Sequence, residues 1–514
     1  MAVRGYQLGI DWSRSGAYSG ILEDVTSYLL ADSDLEVSWG RETSQAGTAA
    51  TAASMDIELR NDGRWFSPDN PSSPIAGRIL PGTPARLTAT APGGQIHTLL
   101  AGVVDTLDVD PTAPAKTFTA EILDAWGRPD AEKLSTPLHQ GIRTGAAIGL
   151  VLDAIGWTGG RDLDAGGSVL PYWWLEDADA PTAIEQLVAC EGAPAIAYVQ
   201  GGTFTFRDRH HRVLRAASTT SQASFTGALS SAGPVDALKI DRARGMRHGL
   251  ADIANTVTWE IEQRQPGDVV EVWSTDTPIS LAAGEQITIV AQAGDPFRDA
   301  VAELTADVGT ATAALSRTSG QSTAITITAG GSATLISRLA LRAVSLPVAR
   351  TVKVTASDPG SVATFGRREW PGPTPALVNA LDAQAIATRL VAAYARPRPT
   401  VTIEIANISD TYLTQILSRA ISDRITVRDD DLGVNGDFII ERVTHRIRKL
   451  GAVHRVRWVC QTPDPTQPAN ALTFDVAGRG FNDGRFAVEG IDSGSAVFRF
   501  DTAGQGFNDG RFGS

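Results

Sequence analysis

Apolar and polar residues alternate with a period of two over much of this chain, in short runs such as Ala85–Thr90, Thr117–Ile122 and Asn255–Ile261. Such alternation is typical of half-buried β-strands. Clusters of Gly, Pro, Asn and Asp separate the runs, and these residues favour tight turns. The pattern predicts a mainly β fold, with a barrel or sandwich over residues 1–130.

The spacing becomes helical between about residues 140 and 210. Ile148, Val151, Leu152 and Ile155 fall on one helical face, and Gly156 ends that run. The sequence therefore predicts a helix over these residues.

A second helix is predicted to end at Gly192, with an apolar stripe at 184–188. Asp179 can act as its N-cap, and Thr182 with Glu185 fits a capping box, so two registers about one turn apart remain open. A hairpin follows this helix.

The hairpin consists of two alternating runs, Ala195–Val199 and Thr203–Arg207, on either side of Gly201 and Gly202. Adjacent glycines suit a tight hairpin turn because they adopt positive φ without steric cost. The region thus predicts an α+β unit.

Further along, helical spacing over 382–395 ends before Pro397, and the strand 400–405 follows. Two long strands are predicted at 436–447 and 453–460. Residues 268–365 are rich in Thr, Ser, Ala and Gly, and this composition favours an independent β unit inserted into the chain.

The C-terminal segment contains an internal repeat. Residues 474–486 return as 500–512, after the Pro-rich linker 461–468, with eleven of thirteen positions identical. Two copies are too few for a self-supporting solenoid. We therefore predict aromatic turns that interact with another surface, through the candidate residues Phe474, Phe481, Asn482, Asp483, Phe486, Phe500, Phe507, Asn508, Asp509 and Phe512.

Composition narrows the class of protein. A chain of 514 residues is too long for one core, and 42% hydrophobic with 20% charged residues is ordinary for a folded protein. The net charge of −13 disfavours a surface that grips nucleic acid. The N-terminus has no signal-peptide pattern, so we expect folding in the cytoplasm. Cys190 and Cys460 are predicted to be buried thiols.

No catalytic, cofactor or metal motif is present in the sequence. Glu176, Asp177 and Asp179 beside Tyr172–Trp174 suggest a sugar-cleaving site, but acids before a helix more often stabilise its N-terminus. For two further groups of residues we predict structural roles, an exposed polar turn at His210–His211 and a solvated loop at Asp429–Asp431.

Four stretches, taken in their order along the chain, carry a family resemblance: Asp56–Asp69 with Ile79–Leu87, Ala180–Asp208, Ile253–Val257, and Asp382–Arg396 with Gly436–Ile447. Together they resemble the tail hub family of tailed phages, and in particular the minor tail proteins of phages that infect high-GC bacteria. The resemblance covers about 350 residues, and each motif alone is short.

Because we find no catalytic motif in the sequence, we expect no enzymatic activity. The resemblance implies a structural virion protein at the tail tip. It implies a homotrimer in contact with the distal tail protein ring, the tape measure protein and a spike or fibre, with DNA passing through an acidic lumen without specific binding. The predicted fold class is mainly β, with two tube-like β-barrel hub domains and an α+β lateral domain as the resemblance implies. The inserted β domain and the C-terminal extension are departures from the family. The predicted boundaries are 1–130, 131–235, 236–267 (return strands), 268–365, 366–462 and 463–514.

Two other functions remain open from the sequence. A tail-borne glycosidase or peptidase would require catalytic groups that converge in space. A receptor-binding adhesin would use the insertion or the C-terminal repeats to contact the host surface.

Overall fold

The structure is a computed structural model that describes residues 5–20, 22–30, 32–41, 50, 52–110, 116–124, 126, 133–227, 237–241 and 245–464. The candidate interaction residues between Phe474 and Phe512 lie outside these ranges. Strands make up 49% of the described residues and helices 16%, so the mainly β prediction is confirmed.

Apart from one short 3-10 helix at Thr26–Tyr28, the described elements of the first part of the chain are strands. They are β1 Tyr6–Ile10, β2 Asp34–Gly40, β3 Ser54–Arg60, β4 Pro84–Thr90, β5 Ile96–Asp110 and β6 Thr117–Asp124. The next part mixes helices with strands. It contains β7 Leu134–Arg143, α1 Thr144–Ala154, β8 Gly160–Leu163, β9 Val169–Ala178, α2 Ala180–Ala189, β10 Ile196–Gln200, β11 Thr203–Arg207, α3 His211–Leu214 and α4 Ala216–Thr219.

Short strands and the insertion follow. They are β12 Ser224–Thr226, β13 Leu238–Lys239, β14 Gly245–Arg247, β15 Thr256–Arg264, β16 Val269–Thr275, β17 Ile279–Leu281, β18 Gln286–Gln292, β19 Phe297–Val308, β20 Ala311–Arg317, β21 Ser322–Ala329, β22 Thr334–Ser345 and β23 Val348–Ser357. The last described elements are α5 Pro359–Phe365, α6 Ala380–Tyr394, β24 Thr400–Ala406, α7 Asp410–Ser418, β25 Arg424–Asp429, β26 Val434–Arg448 and β27 Val453–Gln461.

Two antiparallel sheets share one strand topology. In the first sheet the order is β1-β4-β5-β6-β3, and in the second the central order is β25-β26-β27-β24. Each sheet contains four strands that are consecutive in the chain, β3–β6 in the first sheet and β24–β27 in the second. The earliest of the four lies beside the last, and the third, β5 or β26, is 15 residues long. Each third strand also carries a one-residue bulge, at Asp105 and at Glu441. The second half of this β scaffold therefore repeats the plan of the first.

The two sheets bury a common core. Trp39, Phe66, Phe118 and Trp458 are among its fully buried side chains. Strand β2 lies early in the chain but pairs with β26, with Val37 opposite His445. Because β2 also runs beside β3, it joins the two sheets laterally. The alternating pattern of β2 fits either sheet, so the sequence does not specify its partner.

The α+β unit packs around a second core. Helix α1 begins at Thr144 and α2 begins after Asp179, whose side chain accepts a hydrogen bond from the Thr182 amide. This confirms both helices and selects the Asp179 cap over the capping box. The predicted hairpin is also confirmed, since Gln200 pairs with Thr203 around two glycines of positive φ.

The insertion has its own apolar core. Its strands form two sheets, β16-β22-β17 with β19, and β18-β21-β20. Phe297, Ile325 and Leu341 are fully buried between them. The insertion enters through β15 and leaves through β23, which pair from Thr256 opposite Ser357 to Arg264 opposite Val348. A two-stranded ribbon therefore connects this unit to the rest of the chain.

Helix α7 was not predicted from the sequence. Ser409 precedes it, and Tyr412, Leu413 and Ile416 form a buried face at helical spacing. The helix lies between β24 and β25 and packs on β24, so it covers part of the second sheet. No helix in the described residues is long and apolar enough to cross a bilayer.

Candidate functional site

The three carboxylates that suggested sugar cleavage have separate structural partners. Asp179 caps α2, and the hydrogen bond from the Thr182 amide lowers the pKa of Asp179 below its usual range. The Asp177 carboxylate accepts a hydrogen bond from the Ser135 hydroxyl at 3.5 Å. Glu176 accepts a hydrogen bond from Ser319 of the insertion. These carboxylates do not share a common partner that would hold an acid–base pair.

The neighbouring tryptophan belongs to the same contact with the insertion. A Cβ atom at Gly320 would collide with the Trp174 ring, so the two residues are in close contact. The Arg264 guanidinium carbon lies 5.5 Å from the centroid of Trp174. Trp174 and Glu176 therefore hold the insertion against β9.

The prediction of an exposed turn at His210–His211 is wrong for His211. Its side chain is buried, and Nδ1 lies 2.7 Å from Oδ2 of Asp164. Arg209 and Arg212 are buried as well. The reason is nonlocal, because Asp164 comes from a loop between β8 and β9 that the short motif does not reveal. Burial raises the pKa of Asp164, but hydrogen bonds from His211 and the Asp208 amide outweigh it and give a net lowering.

The Asp429 loop is a turn with one buried acid. The Asp429 side chain accepts hydrogen bonds from the amides of Asp431 and Leu432, at 3.1 and 3.3 Å. Asp430 and Asp431 are exposed, as predicted for a solvated loop. Among the described residues no cluster of three or more His, Cys, Asp or Glu side chains has the arrangement of a metal site.

A buried ion cluster, which we call the Glu441 junction, connects three parts of the chain. Glu441 on β26 accepts two hydrogen bonds from Arg212, at 2.6 and 2.8 Å, and one from Arg41 at 3.0 Å. Arg41 follows β2 and also donates to the carbonyl oxygens of Pro194 and Ala195. The junction thus ties the α+β unit to β2 and β26 of the second sheet.

The charges of the junction are fully desolvated. Burial alone would raise the pKa of Glu441, but the charges and hydrogen bonds of Arg212 and Arg41 lower it to about 2. The carboxylate therefore stays ionised at neutral pH. Sequence analysis missed this residue, although one signal was available. Glu441 interrupts the apolar run Phe438–Ile440 where the strand forms its bulge, and an acid in that position indicates a buried partner.

The first sheet presents an acidic face opposite its core. Asp56 on β3 lies directly opposite Glu121 on β6, and Glu58 and Asp108 lie on either side of Thr119. With Asp34 they line a groove of about 440 Å³ that has no basic residue in its lining. Like charges directly opposite one another weaken strand pairing. We therefore expect the opposed carboxylates of Asp56 and Glu121 to weaken the pairing of β3 with β6.

The second sheet continues this face with paired charges. Arg446 bonds to Glu36 at 2.9 Å, and Arg448 bonds to Asp34, the same residue that lines the acidic groove. On β27, Arg455 bonds to Asp241 at 3.1 Å. Since each of these arginines has an acidic partner, the face is charged without being strongly basic.

Comparisons with known proteins report on the fold. No family model matches the chain, and a search of curated proteins found no match. Among solved structures, the chain is similar to the 43 kDa tail protein of prophage MuSo2 from Shewanella oneidensis. The two share 12% identity and a TM-score of 0.46, over 89% of this chain and 98% of that one.

Two further solved structures are similar to the chain at comparably low identity. A tail protein from Neisseria meningitidis shows 12% identity and a TM-score of 0.47, covering 89% of this chain and 96% of that one. A type VI secretion component from Escherichia coli shows 7% identity and a TM-score of 0.39, covering 89% and 77%. The structural neighbours are thus phage tail proteins and type VI secretion components. At this level of identity the likeness concerns the fold.

Proposed function

We propose that this chain is a structural virion protein, the hub at the tip of a phage tail. In this role it closes the tail tube, joins the distal tail ring and the tape measure protein to a spike or fibre, and opens for DNA ejection. The observation that carries the proposal is the repeated topology of the two sheets, β4-β5-β6-β3 and β25-β26-β27-β24.

The repeated topology matters because of symmetry. A tail tube with sixfold symmetry is closed by a trimer only if each chain offers two similar surfaces. Two sheets of one plan, joined laterally by β2, supply such a pair within one chain. A homotrimer would then place six sheets around the axis.

The charged face fits the lumen of such a ring. DNA binds proteins mainly through phosphate contacts to Lys and Arg, with release of counterions. A wall that carries Asp56, Glu58 and Glu121 gives phosphates little to bind, and Arg446, Arg448 and Arg455 are already paired with acids. We place this face toward the DNA, in agreement with the acidic lumen expected from the sequence.

The mass of the assembly and the number of copies per tail test this function. We expect sedimentation of the full chain to show a trimer, alone or with the ring protein, and a reconstruction of the tail tip to show three copies. One or six copies per tip would contradict the hub. A position away from the tube axis would contradict it as well.

Host attachment is a second candidate function, and it concerns the insertion. Its outer face on β18, β21 and β20 carries Thr288, Thr326 and other uncharged side chains, although the chain as a whole is acidic. This unit has its own core and lies outside the paired sheets. An adhesin role for the insertion is compatible with a hub role for the remainder.

A further inference from the structure

An apolar cleft lies between α2, α6 and β15. Its volume is about 100 Å³, well above the roughly 10–15 Å³ that a cavity needs to hold a single water. Trp126, Trp259 and Trp370 contribute to its wall, together with Ile184 and Leu390. Glu185, which is exposed, stands among the lining residues. An open cleft with three tryptophans is a surface on which an aromatic side chain would pack well.

The chain leaves the described structure beside this cleft. The Thr462 carbonyl accepts a hydrogen bond from Arg398. The Arg398 guanidinium carbon lies 5.1 Å from the centroid of Tyr394. Tyr394 in turn lies 5.4 Å, centroid to centroid, from Trp370 in the cleft wall. Two side chains, those of Arg398 and Tyr394, therefore link the start of the C-terminal segment to the wall of the cleft.

The C-terminal segment has the composition of an occupant. Residues 465–514 contain seven of the 15 phenylalanines of the chain and none of its 11 tryptophans. Phe474 lies ten residues beyond Asp464. At about 3.3–3.6 Å per residue an extended chain of that length spans roughly 30 Å, so the first repeat reaches the cleft easily.

We propose that the first C-terminal repeat docks in this cleft of its own chain, with Phe481 or Phe486 inserted between the tryptophans. Arg485 stands directly before Phe486 in the repeat and is opposite in charge to Glu185 at the cleft. An ion pair between them would fix the orientation of the segment. The docked segment would connect α2 to α6 and leave the second repeat available.

Hydrogen exchange tests the docking. We compare the full chain with a chain that ends at Pro468 and expect amides of 184–190 and 390–395 to exchange at least tenfold more slowly in the full chain. The double variant Phe481→Ala, Phe486→Ala should exchange like the shortened chain. Phe507→Ala with Phe512→Ala is the matched control from the second repeat and should exchange like the full chain.

A peptide of residues 469–490 provides a second measurement. Because this peptide has no tryptophan, a saturable change of tryptophan fluorescence on its addition to the shortened chain reports peptide binding, and the Glu185 variant tests whether binding is at the cleft. Glu185→Arg should weaken binding at least fivefold at low salt. The same substitution at the exposed Asp268 of the insertion should leave it unchanged.

Three results would overturn the proposal. Equal exchange in the full and shortened chains would show that the cleft has no occupant from the C-terminus. Loss of protection only in the Phe507→Ala, Phe512→Ala variant would show that the second repeat, and not the first, occupies the cleft. Protection that rises with protein concentration would show that the segment comes from a second copy.

Discussion

Arg212 and Glu441 meet through two parallel hydrogen bonds, although 229 residues separate them in the chain. Arg212 follows the hairpin of the α+β unit, and Glu441 sits at the bulge of β26. The contact is buried on both sides, so each charge depends on the other for its solvation. This pair makes the orientation of the α+β unit on the second sheet part of the folded core.

Replacement of Glu441 by Gln should destabilise the protein strongly. The variant leaves the positive charges of Arg41 and Arg212 buried without a counter-ion, and breaking a buried pair in this way costs about 3–5 kcal/mol. The matched control is Glu36→Gln, which removes the exposed partner of Arg446 and should cost less than about 1 kcal/mol. Urea unfolding measures both. Equal losses of unfolding free energy in the two variants would show that the Glu441 junction contributes no more to stability than an exposed ion pair.

Stability should fall below pH 6.5 because of two buried histidines. Nδ1 of His445 and Nε2 of His454 are 2.8 Å apart, and Nδ1 of His454 lies 2.7 Å from the Tyr6 hydroxyl. Burial lowers the pKa of His445 to about 3, from 6.5 for an exposed histidine. Burial, with the nearby His445, also lowers the pKa of His454.

The direction of the effect follows from proton binding. Between about pH 3 and 6.5 the unfolded chain binds protons that the folded chain excludes, so the free energy of unfolding decreases as the pH falls through this window. Each histidine contributes at most about 1.4 kcal/mol per pH unit. His445→Gln should reduce the slope of unfolding free energy against pH between 5 and 6.5. The same change at the exposed His248 serves as control, and an equal effect there would refute the assignment.

Neutralising one acid of the first sheet should stabilise the protein. Asp56 and Glu121 face each other directly, and Asp56→Asn removes their repulsion. We expect a gain of about 0.2–1 kcal/mol in the free energy of unfolding at low salt. The control has the opposite sign, because Glu260 lies opposite Lys353 and Glu260→Gln should lower stability by a similar amount. A loss with Asp56→Asn would show that the acidic face supports the fold.

Removing the insertion should leave the remainder folded. Arg264 pairs with Val348, so replacing residues 265–347 by Asn-Gly closes the β15–β23 ribbon as a two-residue hairpin. The deletion removes a separate core and the contact of Ser319 with Glu176. We expect an unchanged number of copies per oligomer and unchanged tail assembly, with host adsorption as the readout for the proposed adhesin function. Aggregation of the shortened chain would show that the rest of the protein depends on the insertion for its folding.

Local signals predicted the local structure well. The Asp179 cap, the glycine pair at 201–202 and the helix over 382–395 depend on neighbours within a few residues, and all are present in the structure. The site contacts depend on distant partners. His211 is buried because of Asp164, and Glu441 is ionised because of Arg41 and Arg212. Patterns within a few residues do not predict contacts between residues far apart in the chain. The pairing of β2 with β26 could not be predicted for the same reason.

The ribbon formed by β15 and β23 also has a consequence for how such a chain evolves. Since the two ends of the insertion are neighbours in register, its gain, loss or exchange leaves the spacing of the flanking segments unchanged. The whole insertion can therefore be replaced in evolution by another domain without a change in the rest of the chain, and the two parts are then under separate selection. Related chains should differ most in length and sequence between Arg264 and Val348.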